Sequence, residues 1–247
     1  MSNGPVHKPI RNRHVRGKLI YWYERDGRRE ERGREWFMTT WYPDGQRTLR
    51  AVSEIDKGLA ADRIVTRDVT YTVDRDRQPL DCHIRLHQDG QFLGAGWFNF
   101  RDGRSECQTW GIPAGRVSQC IEGTPPSFGA HAITCDATHL ERFDHGRPEK
   151  VQPARGVYLS SPEHDGCSGP MLFPINFSIE YVGRETITVD AGTFETDHYR
   201  FLLEGSLEKE HPTEELWVTP DDFICVKVYV GGYMNASFEL AELETSI

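Results

Sequence analysis

The sequence has no long apolar run and no leader-like segment at its start. No apolar stretch in the 247 residues approaches the ~20 residues of a membrane-spanning helix, and the mean hydropathy is -0.60. Met1–Ile10 contains neither a hydrophobic region nor a small-residue cleavage pattern. We therefore expect a cytoplasmic protein with no membrane partner.

Motifs that hold metals are also missing. Six cysteines are scattered without a CxxC pair, which without an export signal is typical of reduced thiols rather than of a disulfide framework. No HxH or HExxH pattern is present. His83 and His87 fall on one predicted strand, where a four-residue separation spans ~13 Å, too far for two ligands of one ion. The sequence predicts no metal site.

Nucleotide and nucleophile motifs are absent as well. There is no Walker A sequence and no GxGxxG that opens a helix, and Gly166–Gly169 does not match the nucleophile elbow of hydrolases. A net charge of -9 argues against a general nucleic-acid binder, which would present a basic surface. A basic run between Lys8 and Arg34 is interleaved with acidic residues, and we interpret it as a solvated hairpin tip. We expect no cofactor and no nucleic-acid partner.

Short β-type segments fill most of what remains. They are separated by Gly, Asp and Pro turns, and sustained helical periodicity is missing. This pattern predicts an all-β fold: a large antiparallel, partly open β-barrel or a strongly curved sheet. We expect a flexible arm over residues 1–15 and a single domain over residues 16–247. Eight of the fourteen prolines fall in residues 111–175, which predicts a loop-rich insertion.

Two segments near the C-terminal end resemble a known bacterial family. Tyr181–Phe201 reads YVGRETITVDAGTFETDHYRF, and Glu215–Tyr229 follows as ELWVTPDDFICVKVY. They resemble β-barrel proteins known only as a domain of unknown function, which share an AGTF hairpin, here Ala191–Phe194, and a following tryptophan strand, here around Trp217. The resemblance covers the last third of the chain. It implies a half-open antiparallel barrel suited to lipophilic ligands, and it transfers no catalytic residue.

One hairpin suggests where a site could lie. Asp89–Gly90 between alternating residues is a strong signal for a two-residue turn, which fixes the register. His83 then faces Gly96, and Arg85 faces Gly94. Two glycines opposite polar side chains would leave open volume for a ligand. The opposite face would be a core face, formed by Cys82, Ile84, Leu86, Leu93, Ala95 and Trp97. The competing interpretation is that the polar face is a solvated outer surface.

Histidines and carboxylates supply candidates for acid–base chemistry. Histidine exchanges protons near neutrality, and a carboxylate can fix its tautomer. We assign His83 and His131 as candidate base and acid, Arg85 as an anion stabiliser, and Asp136 as the orienting group. Candidate substrate-binding residues are His87, Gly94, Gly96, Trp97, His164 and Trp217.

The sequence therefore favours a cofactor-free enzyme. It would act by proton transfer, as an isomerase, a dehydratase or other lyase, or a cyclase, on a small hydrophobic or aromatic, oxygenated molecule. The alternative is a non-catalytic binding or carrier protein for a lipophilic ligand, and a structural role is third. Homo-oligomer formation stays open. The enzyme hypothesis requires residues 111–175 to fold over the hairpin's polar face as a lid.

Overall fold

A computed structural model describes residues 12–56, 63–112, 115–163, 165–204, 212–232 and 234–246. Within these ranges the chain forms 15 strands and a single helix. The first half contains β1 Arg13–Arg25, β2 Arg28–Trp41, β3 Arg47–Asp56, β4 Ile64–Val73, β5 Pro79–Gln88, β6 Gln91–Asn99, β7 Arg104–Gly111 and β8 Gly115–Glu122. The second half contains β9 Phe128–Gly129, α1 Ile133–Leu140, β10 Val151–Leu159, β11 Phe173–Val189, β12 Gly192–Leu203, β13 Glu214–Val218, β14 Cys225–Val230 and β15 Ala236–Ser246.

All the strands belong to one sheet made of two meanders. The order is β8-β7-β6-β5-β4-β3-β2-β1-β15-β14-β13-β12-β11-β10-β9. Neighbouring strands are antiparallel, except for the short parallel pair of β9 and β10. The meanders meet where β1 pairs with β15 at the centre of the sheet. Among the described residues the edge strands β8 and β9 do not pair, so the sheet is not closed into a barrel. The predicted fold class, all-β with a partly open barrel or curved sheet, is confirmed.

Alternate residues of each strand point into one interior. In β4, for example, Val65, Val69 and Tyr71 are buried, while Ile64 and Asp68 at alternate positions are exposed. Side chains from strands of both meanders line a common cavity, which shows that the sheet curls around it. Helix α1 lies inside this curve and buries Cys135, Ala137 and Leu140 in the core.

The two predicted boundaries need correction. β1 begins at Arg13, so residues 13–15 are strand rather than arm, and residues 1–11 lie outside the described residues. The middle segment 111–175 is more regular than expected, because it contains β8, β9, α1 and β10. Its prolines fall mostly in the connections between these elements. Two prolines are exceptions: Pro153 lies within β10 near the edge of the sheet, and Pro174 is the second residue of β11.

A side chain bridges the gap between the open edge at β8 and the second meander. Gln119 of β8 points inward, and its amide nitrogen donates to Leu172 O at 3.1 Å. Its amide oxygen accepts from Leu172 N at 2.8 Å. The pair of bonds imitates one rung of a β-ladder. The seam of the curved sheet is therefore held by a side chain where strand pairing stops.

Candidate functional site

The register of the β5–β6 hairpin differs from the predicted one. Gln88 opposes Gln91 and His87 opposes Phe92, as the turn requires, but the register then shifts. A bulge at Leu93 adds one residue to β6, so that Gly94 opposes Leu86. From that point the predicted pairs are wrong by one residue. The side chains of β6 beyond the bulge consequently point to the faces opposite to those predicted.

This shift turns the two glycines toward the protein interior. A Cβ on Gly96 would lie 2.7 Å from Thr109 Cγ2 and 2.9 Å from Pro170 Cβ. One on Gly94 would lie 3.3 Å from Pro170 Cδ. The glycines therefore make room for the Pro170 segment of the middle region, which packs on the inner face. His83, Arg85, Gly96 and Trp97 do line a common depression of about 390 Å³, but it is an open hollow of the outer surface and not the enclosed pocket that was predicted.

The predicted polar face is the outer surface of the sheet. His83 and Arg85 are exposed, and Trp97 beside them is 39% exposed. The Arg85 guanidinium lies 5.5 Å from the Phe92 ring, and His87 meets the same ring edge-on at 5.9 Å. The lid prediction is wrong, because the middle segment covers the other face. The sheet also separates His83 from His131, so they cannot act together as base and acid.

Trp217 also lies outside the interior. Its ring stacks on His198 at 4.1 Å, and its Nε1 donates to Glu185 Oε1 at 2.7 Å. The ammonium of Lys227 lies 5.6 Å from the ring centroid. Trp217 therefore belongs to an outer-face cluster and does not bind a ligand in the cavity. His164, the remaining predicted binding residue, lies outside the described residues.

The interior contains a cavity of 470 Å³, which is within the usual size range of ligand pockets. One side is apolar and comes mainly from the second meander, through Phe173, Ile175, Phe177, Phe201, Leu203 and Phe238. The rest of the lining is polar, through Arg32, Arg67, His131, Asp136 and Glu214. Glu214 of β13 lies directly opposite Phe201 of the apolar part, so the two kinds of lining meet there. Two of the predicted catalytic residues, His131 and Asp136, thus line one cavity.

Helix α1 is fixed in the cavity by a buried carboxylate. Its N-cap residue, Ala132, has no side chain that could cap the helix. Glu35 of β2, which is fully buried, substitutes for it and accepts from the amides of Ile133 and Thr134 at 3.0 Å each. The Tyr21 hydroxyl donates to the same carboxylate at 2.6 Å, as does the Thr134 hydroxyl. A negative charge at a helix N-terminus is also favoured by the helix dipole.

His131 is held in an unusual backbone conformation just before α1. Its φ of 58° lies in the left-handed region, which is uncommon for a residue other than glycine. The Arg67 guanidinium donates to the carbonyls of His131 and Asp165, which ties two loops together. His131 Nδ1 lies 2.9 Å from Ser160 Oγ. These contacts hold the imidazole in one position. Residues with such uncommon backbone conformations cluster at functional sites.

Asp136 and Glu214 are the unusual carboxyls of the cavity. Burial raises the pKa of Asp136 well above its ordinary value, and the nearby Glu214 and Glu35 raise it further against the opposing effect of Arg67. Burial raises the pKa of Glu214 to about 7. Glu214 Oε1 is buried and has no hydrogen-bond partner among the described residues. Both groups therefore hold a proton far more readily than an exposed carboxyl.

His139 of α1 is kept neutral in the apolar part. Burial lowers its pKa to about 4, and its Nδ1 lies 2.7 Å from Ser127 Oγ. Its ring meets Phe177 and Phe201 edge-on. The residue therefore acts as an aromatic wall of the cavity rather than as a charge.

Sequence reasoning missed Arg32, Glu35, Arg67 and Glu214. Three of them carry a recognisable signal, because they share the inward phase of their strands with buried apolar residues. Arg67 lies between Val65 and Val69, and Glu214 precedes Leu216 by two residues. Charged residues at inward positions indicate a buried polar site. Arg32 points inward for another reason: a bulge in β2 inserts it between the partners of Tyr21 and Trp22.

Neither a metal centre nor a spanning helix is found in the described part of the chain. No group of three or more His, Cys, Asp or Glu residues there could hold a metal ion. The helix found within those residues is too short and too polar to cross a bilayer.

The fold and cavity define a class: a curled, open, β-barrel-like sheet around one interior site. No family model and no curated protein matches the sequence. A β-barrel-like protein of the domain of unknown function DUF1849 from Brucella abortus has a similar structure. Its TM-score is 0.63 at 12% identity, and the match covers 97% of this chain and 100% of that one. At this identity the likeness concerns the fold alone. The chain therefore shares its fold with an uncharacterised β-barrel-like protein.

Two more distant structures bear on the predicted location. One is a "putative exported protein" with a YmcC-like fold from Bacteroides fragilis, with a TM-score of 0.42 at 9% identity and coverage of 93% and 95%. The other is a "putative lipoprotein" from Parabacteroides distasonis, with a TM-score of 0.32 at 12% identity and coverage of 94% for each chain. These descriptions conflict with the cytoplasmic prediction, which we withdraw as wrong. They also give no support to the terms lyase and isomerase.

Proposed function

We propose that the protein binds a lipophilic molecule that carries a polar group, and that it acts as a binding or carrier protein. The 470 Å³ cavity supports this, because it joins an aromatic, aliphatic wall to a small set of polar groups beside α1. Ligand sites commonly combine an apolar lining with a few placed polar groups. The outer face of β5 and β6, where the sequence predicted the site, has no part in this proposed function.

The proposal is tested by filling the cavity. Ile175→Trp adds an indole to the apolar wall, whereas Val182→Trp adds one to an exposed position on the same strand. A fluorescent fatty probe should bind the wild type and Val182→Trp alike, and should bind Ile175→Trp at least tenfold more weakly. Equal binding by all three proteins would exclude this cavity as the site. Native mass spectrometry of protein taken from its host would show a retained ligand directly.

A second candidate function is proton transfer to the bound molecule by His131 and Asp136. The left-handed backbone of His131, held through Arg67 and Ser160, favours it. Asparagine tolerates this conformation, so His131→Asn is the suitable variant. If the protein is catalytic, the ligand retained by His131→Asn will differ in chemical structure or isotope exchange from that retained by the wild type. The same ligand at the same occupancy would support a carrier.

We further infer kinship with the bacterial β-barrel family that the C-terminal segments resemble. Ala191 lies in the turn between β11 and β12, Gly192–Phe194 begin β12, and the tryptophan strand is β13. The inference predicts that members of that family place their AGTF turn and tryptophan strand in the same two neighbouring positions of the sheet. A solved member with these segments in non-adjacent strands would contradict it.

A further inference from the structure

The polar side of the cavity contains more acidic than basic groups. Its described lining includes the four carboxyls of Asp136, Glu163, Asp165 and Glu214 against the guanidinium groups of Arg32 and Arg67. The Arg67 guanidinium donates to two backbone carbonyls, and its charge lowers the pKa of Asp136 through space. The site therefore has an excess of negative charge once its carboxyls ionise.

The contrast with Glu35 shows which carboxyls are available for a ligand. Glu35 is satisfied by two amides and two hydroxyls, and its role is to hold α1. Glu214 Oε1, in comparison, is buried without a hydrogen-bond partner among the described residues, although it lines the cavity. A buried acceptor left without a donor is costly. A donor supplied by the ligand would remove that cost.

We propose that the ligand is a lipophilic amine, whose ammonium group is held by the carboxyls of Asp136 and Glu214 while its apolar part contacts the aromatic wall. This rests on the proposed ligand-binding function. An ammonium group offers three donors and a positive charge, and charge-assisted hydrogen bonds to carboxylates are strong. It would favour ionisation of both carboxyls, which burial and mutual repulsion otherwise oppose.

The surroundings of the two carboxyls set the pH dependence. The other titratable or charged groups of the site are Tyr21 of β1, Arg32 and Glu35 of β2, Arg67 of β4, His139 of α1, and His131, Glu163 and Asp165 of the loops. An alkylamine stays protonated up to about pH 10 and therefore does not itself titrate near neutrality. Burial raises the pKa of Glu214 to about 7 and that of Asp136 well above its ordinary value, so at acidic pH the amine must displace their protons when it binds. For each proton released, the affinity for the amine then falls by up to about tenfold for every unit by which the pH is lowered.

The experiment compares dodecylamine, dodecanol and dodecanoate, all below their micelle concentrations, by calorimetric titration at pH 5.5, 7 and 8.5. The amine should bind at least tenfold more tightly than the alcohol at pH 8.5, and this preference should shrink at pH 5.5. Asp136→Asn and Glu214→Gln should each remove most of the preference without weakening dodecanol. Glu244→Gln, which removes an exposed carboxylate paired with Arg16, should leave it unchanged.

Each contrary outcome has a distinct meaning. Equal affinity for amine and alcohol would overturn the amine proposal while leaving the ligand-binding function intact. Tightest binding of dodecanoate would overturn it in favour of an anionic ligand held by Arg32. Failure of all three probes to bind would overturn both proposals. The selectivity of the wild type decides among these results even if a variant fails to fold.

Discussion

At the scale of single residues, the number of donors decides what a buried carboxyl does. Glu35 and Glu214 both lie in the interior on inward positions of their strands. Glu35 receives four hydrogen bonds and joins β2 to α1, whereas Glu214 Oε1 receives none from the described residues. The first carboxyl is therefore part of the scaffold. The second is a group that the scaffold leaves available to the cavity.

Glu35→Ala should destabilise the protein by about 2–4 kcal/mol, because it leaves a buried tyrosine hydroxyl and two helix amides without an acceptor. Urea unfolding followed by circular dichroism measures the change. Glu54→Ala removes an exposed carboxylate from the neighbouring strand and should change the free energy of unfolding by less than about 0.5 kcal/mol. Similar losses in the two variants would contradict the capping role of Glu35.

Glu214→Gln should increase stability above neutral pH. The pKa of Glu214 is raised from 4.5 to about 7 in the folded protein, so the folded state binds the proton more tightly than the unfolded state. Its contribution to stability is complete below pH 4.5 and is lost as the pH rises toward 7. A glutamine does not titrate and avoids this loss. The difference in free energy of unfolding between variant and wild type, measured by thermal unfolding, should be about 1–3 kcal/mol more favourable to the variant at pH 8 than at pH 4.

At the scale of elements, a single extra residue changed the interpretation of the hairpin. The turn at Asp89–Gly90 forms as predicted, and the pairing next to it is correct. The sequence did not reveal the bulge at Leu93, because the residues of β6 that follow it, Gly94–Phe98, are apolar or small on both faces. Over that stretch neither register therefore places a polar side chain of β6 in the core. Alternation alone therefore located the strands but could not decide which face of β6 points inward.

Gly96→Ala tests that assignment. The added Cβ would approach Thr109 and Pro170 to less than 3.0 Å, so we expect a loss of about 1–3 kcal/mol in the free energy of unfolding. Gly111→Ala is the matched control on the adjacent strand, because the nearest atom to its Cβ would be Leu93 O at 3.5 Å. If Gly96→Ala proved as mild as Gly111→Ala, the inward packing of the Pro170 segment on β6 would be wrong.

The strands and the cavity differed in how far the sequence could predict them. Alternating residues and turn signals are local, so most strands, and the shortness of the helix, followed from them. His131 and Asp136 were found because they lie in an unusual segment. Arg67 and Glu214 join them only because the two meanders curl around α1. That convergence depends on contacts between distant parts of the chain, which no local pattern encodes.

At the scale of the whole molecule, the sheet stays open and one side chain spans the seam. Gln119→Ala would remove the two hydrogen bonds that Gln119 makes to the amide and carbonyl of Leu172. We expect faster hydrogen exchange in β8 and at residues 170–172, with little change in the central strands. Ser118→Ala, which removes an exposed bond to Gln108, should leave exchange at Leu172 unaltered. Uniformly faster exchange over the sheet would indicate global destabilisation instead.

The central pair of strands has a consequence for how the chain folds. β1 meets β15 in the middle of the sheet, and His14 lies opposite Ser246. Each meander can assemble from neighbours along the chain, but this pairing must close a loop that contains all the strands from β2 to β14. During synthesis one edge of β1 stays unpaired until β15 has been made, and an unpaired edge can associate with other chains. The slowest and most aggregation-prone stage of folding should therefore be the joining of the two finished meanders.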